Sequence, residues 1–470
     1  MGLIAGSAVS LQAMIAGKQV SCVEVMTEAL ARNAAVNGDI NAIVSLRDPD
    51  DLMQEARAAD AFAGPRGSLH GMPLAVKDLV ATKGLRTTYG SPVFADHVPV
   101  ADDLTAARMR AAGAIFIGKT NTPEWGQGSH SFNPVHGVTR NPYDLTRSAG
   151  GSSGGAAAAL AAGLVPVADG SDMMGSLRNP AAFCNVYGFR PTWGLVPGDA
   201  QGDRFMTTLA TEGPMARDIS DIALLLDVMA GENPQVPFGR SERFSAPDPA
   251  DLRGKRIGWL GDWGGAYAME PGILAASESA LRVFEDLGAV VEPVAPPFPA
   301  PKLWQAWITL RAMLNAGAKR GLYDDPAHRA MTKEETIWEI EQGLGLSAQA
   351  VYDASVIRSR WYAKAAGLLD RFDALVLPSA QVWPFAVELR WPQAINGAAM
   401  DTYHRWMEVV VPASLAGLPA LALPAGFGVN GLPMGVQLMG RTGADAALLA
   451  MGQAYHQATD WPGRKPPKPG

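Results

Sequence analysis

Hydrophobic and polar positions near the start of the chain recur with the period of a helix. Across residues 10–63, apolar residues are spaced three and four apart, as at Leu11, Met14 and Ile15. This spacing places the apolar side chains on one face of a helix. It predicts a helical N-terminal layer.

Strand and helix patterns alternate in the following stretch. Residues 71–78 form a short apolar run bounded by glycine and proline, which predicts a buried strand with Lys77 at its end. A helix pattern at 103–112 precedes a second apolar run at 114–118, and an alanine-rich helix follows at 156–164. This order is typical of βαβ units, so we expect an α/β fold in which helices cover a sheet.

Composition describes a globular chain and excludes some partners. The 470 residues are 48% hydrophobic and 18% charged, enough for a large core. Lys and Arg number 39 against 46 Asp and Glu, a net charge of −7, which is the wrong sign for a surface that neutralises phosphates. We therefore expect no nucleic-acid partner.

Cysteine usage and apolar runs favour a soluble cytoplasmic protein. Cys22 and Cys184 are the two cysteines and form no CxxC motif, so neither a disulfide framework nor a thiolate zinc site is expected. The apolar run at 156–168 is interrupted by Gly163 and Pro166 and is shorter than the roughly 20 residues of a membrane span. No basic residue precedes Lys18, so we expect no signal peptide and no membrane partner.

Candidate chemistry is concentrated in two segments rich in glycine and serine, at residues 148–155 and 171–181. A glycine–serine loop that leads into a helix exposes backbone N–H groups suited to an anion or an oxyanion. A phosphate-binding P-loop needs Lys and Ser or Thr directly after its last glycine, whereas four alanines follow Gly155. Nucleotide binding is therefore disfavoured.

The residues alone leave two ways to activate a serine. Residues 150–154 and 151–155 both match the G-x-S-x-G nucleophile elbow, which requires a downstream acid and histidine. The available histidines are His328, His404 and His456. Alternatively, a lysine at a buried strand end can lose its proton through desolvation and act as the base, and Lys77 is so placed.

Residues 150–181 resemble the signature of the amidase signature family, a GGSSGG block followed after a spacer by G-T/S-D-x-G-G-S-I/L-R-x-P-A. Further blocks in family order lie at residues 71–78, 87–91, 112–121, 188–192 and 431–437. The resemblance implies one α/β domain over 1–470, with a mixed twisted β-sheet between helical layers. Within it we expect a helical N-terminal layer at 1–65, a signature core at 71–200 and a variable specificity segment at 230–400.

The resemblance also implies a catalytic triad. Ser176 corresponds to the nucleophile, Ser152 to the serine that relays its proton, and Lys77 to the base. The peptide between Gly151 and Ser152 corresponds to a cis peptide in the family. Ser153 could act as the relay instead, but the family spacing favours Ser152, and we expect the Ser153 hydroxyl to satisfy backbone N–H groups.

The loop before the nucleophile departs from the family pattern. The resemblance implies an oxyanion hole made by the backbone N–H groups of Met173, Met174, Gly175 and Ser176. The family has two glycines before the nucleophile, whereas this chain has Met174 and Gly175. A methionine keeps its N–H, but its side chain resists positive φ and takes room beside the acyl site. We expect Met174 to shape the substrate pocket; a catalytically impaired family member is the alternative.

Two charged residues beside the nucleophile are expected to be structural. Asp172 and Arg178 should pair with each other and hold the loop. The seven histidines show no metal-binding spacing such as HExxH, so we expect no metal. The chemistry needs no cofactor.

Tryptophans suggest the class of substrate. Seven of the 12 lie from Trp304 to Trp406, and we expect at least one or two of them to face an apolar acyl or aryl group. The resemblance places Trp125 close to the active-site loop and so implies that it forms part of the pocket wall. We predict hydrolysis of small apolar or aryl amides, with related anilide, carbamate, ester or nylon-type substrates left open. The A subunit of a tRNA-dependent amidotransferase is the alternative, and the resemblance allows a homodimer.

Overall fold

Helices and strands alternate through most of the chain. The structure, a computed structural model, describes residues 2–198 and 202–468. The strands are β1 (Ile43–Val44), β2 (Pro73–Lys77), β3 (Ile115–Thr120), β4 (Phe132–Asn133), β5 (Gly137–Val138), β6 (Arg140–Asn141), β7 (Asp144–Ser148), β8 (Val167–Asp172), β9 (Tyr187–Arg190), β10 (Thr211–Ala216), β11 (Arg256–Trp259), β12 (Val290–Pro293), β13 (Ala374–Pro378), β14 (Ala394–Ile395), β15 (Ala398–Ala399), β16 (Ala420–Phe427) and β17 (Pro433–Met439). The α-helices are α1 (Ala8–Ala16), α2 (Cys22–Ile40), α3 (Pro49–Ala61), α4 (Leu104–Ala111), α5 (Gly154–Ala161), α6 (Arg178–Phe183), α7 (Ile219–Met229), α8 (Ile273–Asp286), α9 (Ala300–Ala318), α10 (Arg320–Asp324), α11 (Pro326–Met331), α12 (Glu334–Leu344), α13 (Ala348–Leu369), α14 (Val411–Ala416), α15 (Asp445–Thr459) and α16 (Trp461–Arg464).

The N-terminal helices form where the apolar period predicts them. A capping box starts α2, because Ser21 Oγ accepts the N–H of Glu24 (3.1 Å) and the Glu24 carboxylate accepts that of Ser21 (2.8 Å). The short strand β1 separates α2 from α3 and pairs antiparallel with β3. Two residues are too few to produce a strand period in the sequence.

A large mixed sheet forms the centre of the fold. Within the described residues, eight strands pair in the order β12-β11-β13-β17-β16-β9-β10-β8. Strand β11 runs parallel to β12 and β13, and the other neighbours are antiparallel. In the same ranges, β1, β3 and β2 form a smaller sheet. The predicted single α/β domain with a mixed sheet flanked by helices is confirmed.

The two sheets meet where the predicted chemistry lies. Strand β2 ends at Lys77, whose backbone N–H donates to the Asp169 carboxylate of β8 (3.1 and 3.2 Å). Helix α5 starts close to the end of β3, where a Cβ on Gly155 would lie only 2.2 Å from the Asn121 nitrogen. Glycine is therefore required at this close approach. The close approach of α5 to β3 places the loop that carries Ser152 next to Lys77.

Most of the seven tryptophans from Trp304 to Trp406 belong to the core. Five of the seven pack in a hydrophobic cluster that also contains Met174: Trp304, Trp307, Trp361, Trp383 and Trp406. None of the helices in the described ranges combines the length and the apolar character needed to cross a bilayer.

Candidate active site

Lys77 lies at the centre of a group of serine hydroxyls. Its side chain is completely buried, and Nζ lies 2.8 Å from Ser152 Oγ, 2.8 Å from Ser153 Oγ and 3.0 Å from Ser171 Oγ. A neutral amine has two N–H groups and one lone pair. Three hydroxyl contacts therefore allow Lys77 to donate twice and to accept one hydroxyl proton.

Burial sets the protonation of this lysine. It lowers the pKa of Lys77 to about 7, because the charged form loses its hydration, while the negative charges of Asp169, Asp172 and Glu212 act in the opposite direction. A substantial fraction of Lys77 is thus neutral near pH 7. A neutral lysine within hydrogen-bond distance of a hydroxyl can serve as a general base.

A cavity of about 180 Å³ connects this group to Ser176. Of the described residues, Ser152 and Ser171 line the cavity together with Ser176, whereas Ser153 does not. The Gly151–Ser152 peptide is cis. The Ser153 hydroxyl contacts the backbone of Ser171 as well as Lys77 (Ser171 N to Ser153 Oγ, 3.4 Å). Sequence reasoning missed the Ser171 contact with Lys77, although this serine lies within the second signature block.

The Asp172 carboxylate organises the loop that carries Ser176. It accepts the N–H groups of Gly175 (2.9 Å) and Leu177 (3.1 Å) and the guanidinium of Arg178 (2.9 and 3.0 Å). Arg190 contacts it as well (3.2 Å). Burial alone would raise the pKa of Asp172, but Arg178 and then Arg190 hold it well below its usual range. The expected pair of Asp172 and Arg178 does form, and it is completely buried.

The structure corrects the expected oxyanion hole at one position. Gly175 has a φ of 78°, and its N–H is engaged by Asp172, so it turns the loop and is not a free donor. No acceptor among the described residues takes the N–H of Met173, Met174 or Ser176. The left-handed conformation falls on Gly175, and Met174 does not share it. A methionine at 174 is therefore compatible with the loop.

Met174 lines the cavity and is anchored from behind. Its side chain is 3% exposed, and the Trp307 indole N–H donates to its Sδ (3.2 Å). This contact makes Met174 part of both the core and the wall.

Replacing Met174 with alanine should therefore destabilise the fold. We expect the free energy of unfolding to fall by about 2–5 kcal/mol, the usual loss for truncating a buried methionine. Equilibrium denaturation would measure it. Met174→Leu, which conserves volume, should cost less than about 1.5 kcal/mol, and equal losses for the two variants would contradict the packing role.

Trp125 lies in the cavity wall, as the sequence predicted. Its ring stacks on Tyr89 with centroids 5.3 Å apart and meets Phe94 edge to face. Its Nε1 is buried and has no acceptor among the described residues.

The cavity lining that the structure describes does not include the tryptophans from Trp304 to Trp406, of which the sequence predicted at least one or two to face the substrate. Among the described residues that line the cavity, none of the seven is present. The variable segment contributes Arg311, Asn315 and Lys319 instead, and Met407 follows that segment. Sequence reasoning missed these residues. The one sequence signal that could have found them is that Arg311, Asn315 and Lys319 are polar and spaced four residues apart along α9 and its C-terminal cap.

The histidine alternative is wrong for this fold. Among the described residues, no histidine lines the cavity that contains Ser176. His404 is buried beside Glu339 (3.8 Å), His456 pairs with Asp218 (3.0 Å), and His328 lies half exposed at the surface. A Ser-His-Asp triad therefore cannot form around Ser176.

Comparison with known proteins places the chain among the amidases, enzymes that hydrolyse amide carbon–nitrogen bonds. The sequence model of the Amidase family matches residues 24–449, and the chain belongs to the amidase signature family. It is 34% identical to an acylamidase of Rhodococcus erythropolis, covering 98% of this chain and 97% of the relative. It is 35% identical to the A subunit of the glutamyl-tRNA(Gln) amidotransferase of Chloroflexus aurantiacus, covering 97% of each. The crystal structure of a bacterial aryl acylamidase of the amidase signature family superposes with a TM-score of 0.90, at 29% identity over 98% of this chain and 99% of that one.

Proposed function

We propose that the protein hydrolyses small apolar or aryl amides through an acyl-enzyme on Ser176, with Lys77 as the base and Ser152 as the relay. The observation that carries this proposal is the 2.8 Å contact of Lys77 Nζ with Ser152 Oγ, at the edge of the cavity that Ser176 lines. A partly neutral lysine beside a hydroxyl that reaches the cavity is the arrangement that a serine nucleophile needs.

Acylation begins with Ser176 Oγ attacking the amide carbonyl carbon. The Ser176 proton passes to Ser152, whose own proton passes to neutral Lys77. The C–N bond then breaks as the relay returns a proton to the departing amine nitrogen. Water attacks the resulting ester and loses its proton along the same relay, so that a carboxylic acid leaves and Ser176 is restored.

We assign the relay to Ser152, and not to Ser153, because Ser152 can be reached from the cavity. Ser152 and Ser153 lie equally close to Lys77, but Ser152 lines the cavity and Ser153 does not. A proton from Ser176 therefore has a path through Ser152. The N–H groups of Met173, Met174 and Ser176, which have no acceptor among the described residues, are available to the oxyanion. Losing one such donor typically costs about 10²–10³ in rate.

Cavity size and lining support small substrates. A volume of about 180 Å³ is below that of common ligand pockets, about 300–1,000 Å³. Leu79, Met174 and Met407 give it an apolar surface, and Trp125 supplies an aromatic wall. Anilides, carbamates and esters present the same carbonyl chemistry.

Cys22 and Cys184 are free and buried, which supports a reducing, cytoplasmic setting.

Intact-protein mass after treatment with a fluorophosphonate tests the nucleophile, alongside turnover of butyryl-p-nitroanilide. We expect one adduct on the wild type, its loss in Ser176→Ala, and its retention in Ser241→Ala, an exposed serine outside the cavity. An adduct that persists in Ser176→Ala would contradict the assignment. Ammonia release from glutamine without anilide turnover would favour the amidotransferase alternative, and an absence of both adduct and turnover would favour the impaired member.

A further inference from the structure

One wall of the active-site cavity is polar and follows a single helix face. Arg311, Asn315 and Lys319 line it, four residues apart along α9 and at its C-terminal cap. Residues at this spacing stack on one side of a helix. The cavity that begins at Ser176 thus has three polar side chains along the α9 face.

The only carboxylate in contact with this wall among the described residues is already satisfied. Glu339 is 2% exposed and accepts hydrogen bonds from Arg311 Nε (2.6 Å), Asn315 Nδ2 (2.6 Å) and Gln127 Nε2 (2.6 Å). A buried carboxylate with this many donors offers little to a further ligand. Its charge balances that of Arg311.

The ammonium of Lys319 lacks an ion-pair partner among the residues that the structure describes. It donates to Asn315 Oδ1. Burial lowers the pKa of Lys319 to about 8, while Glu339 acts in the opposite direction. The side chain is therefore mostly protonated at pH 7, so that two cations, Arg311 and Lys319, share the one carboxylate of Glu339 and leave this wall with a net positive charge.

Other donors on the cavity wall also lack strong acceptors. Arg311 Nη1 contacts the thioether of Met173 (3.3 Å), which is a weak acceptor, and Trp125 Nε1 has no acceptor among the described residues. The side-chain oxygen of Gln127 is occupied by Thr336. A ligand that fills this cavity must supply acceptors, preferably with negative charge.

We propose that the preferred substrate carries a carboxylate in addition to its scissile amide. Lys319 binds this carboxylate together with Arg311 Nη1, the guanidinium nitrogen that contacts the Met173 thioether. This inference rests on the proposed function and narrows its substrate class to amides that combine an apolar or aryl group with a carboxylate. The apolar wall holds the rest of the substrate, while the α9 face selects the charged group. A charge-assisted hydrogen bond in a buried site commonly changes affinity by about tenfold or more.

Two pairs of probes, in which an isopropyl group replaces the carboxylate, test the inference. N-phenylsuccinamate against N-phenyl-4-methylpentanamide places the charge on the acyl side; 4-acetamidobenzoate against 4-isopropylacetanilide places it on the amine side. Calorimetry on Ser176→Ala measures binding without turnover, and kcat/KM is measured on the enzyme with Ser176 intact. We expect the carboxylate of at least one pair to be favoured about tenfold or more.

Variants at Lys319 identify the group responsible. Lys319→Met should reduce that preference about tenfold, and Lys319→Arg should retain most of it. Lys302→Met, an exposed lysine at the start of the same helix, should leave the preference unchanged. Thermal midpoints show that each variant is folded. Isopropyl probes that bind as tightly as the carboxylates, or an unchanged preference in Lys319→Met, would overturn the inference.

The experiments distinguish a failure of the proposed function from a failure of the inferred carboxylate binding. A preference for carboxylates that depends on Lys319 in Ser176→Ala, without cleavage by the wild type, would reject the proposed function and keep the binding site. Cleavage of the isopropyl anilides without any preference for the carboxylates would keep the proposed function and reject this inference.

Discussion

Replacing Lys77 with methionine is expected to lower kcat/KM for an anilide by about 10⁴-fold, the upper end of the usual worth of a positioned general base. Methionine matches the length of the lysine stem but has no basic nitrogen. Ser152 would then have no group to receive its proton. Steady-state kinetics at pH 8 would measure the loss.

The pH profile separates this role from a structural one. Because the base must be neutral, wild-type kcat/KM should rise with pH up to the pKa of Lys77, about 7, and level off above it. Lys77→Met should lack that rise.

Ser153→Ala is the matched control, since it removes a hydrogen bond to Lys77 of the same 2.8 Å length as the one from Ser152. We expect it to lose about tenfold and to keep the profile, whereas Ser152→Ala should lose about 10² or more. A pH rise that survives in Lys77→Met would reject the lysine base.

The part of the site that follows from local sequence was predictable. Lys77 ends a short apolar run, and that pattern predicts the buried strand end where β2 has it. Ser152 and Ser176 stand in the two signature blocks, which a resemblance can align without knowledge of the fold. The pair of Asp172 and Arg178 spans only six residues.

Contacts between distant segments could not be predicted in this way. Three polar residues four apart on α9 are typical of a solvated helix face, and only packing against the nucleophile loop turns that face into a cavity wall. The tryptophans show the opposite error, because residues expected at the cavity pack in the hydrophobic core instead. Their apolar surface predicts burial, but it does not say which buried face borders a cavity, and Trp307 packs behind Met174 instead.

Gly175 shows a further limit. A glycine before a nucleophile can provide a free N–H or a left-handed turn, and the sequence does not distinguish them. The decision depends on Asp172, whose carboxylate captures that N–H once Arg178 and Arg190 have fixed its position. The oxyanion geometry therefore depends on a buried ion network.

That network supports the second large effect. Asp172→Asn keeps the shape of the side chain and an acceptor for Gly175, but it removes the charge that compensates Arg178 and Arg190, both completely buried. An uncompensated buried charge costs about 3–5 kcal/mol, so we expect the free energy of unfolding to fall by that amount. Equilibrium denaturation at pH 7 would measure it.

An exposed ion pair provides the control for this loss. Asp251 lies 2.6 Å from Arg253 with both side chains more than half exposed, and Asp251→Asn should cost between about 0 and 1 kcal/mol. The pKa of Asp172 lies below its unfolded value of about 3.9, so its contribution is complete above that pH and is lost only as the pH falls further. The difference between wild type and Asp172→Asn should therefore persist from neutral pH to about pH 5. Equal losses in the buried and exposed variants would mean that packing alone holds the loop, and that the charge of Asp172 has no part in positioning the N–H groups around Ser176.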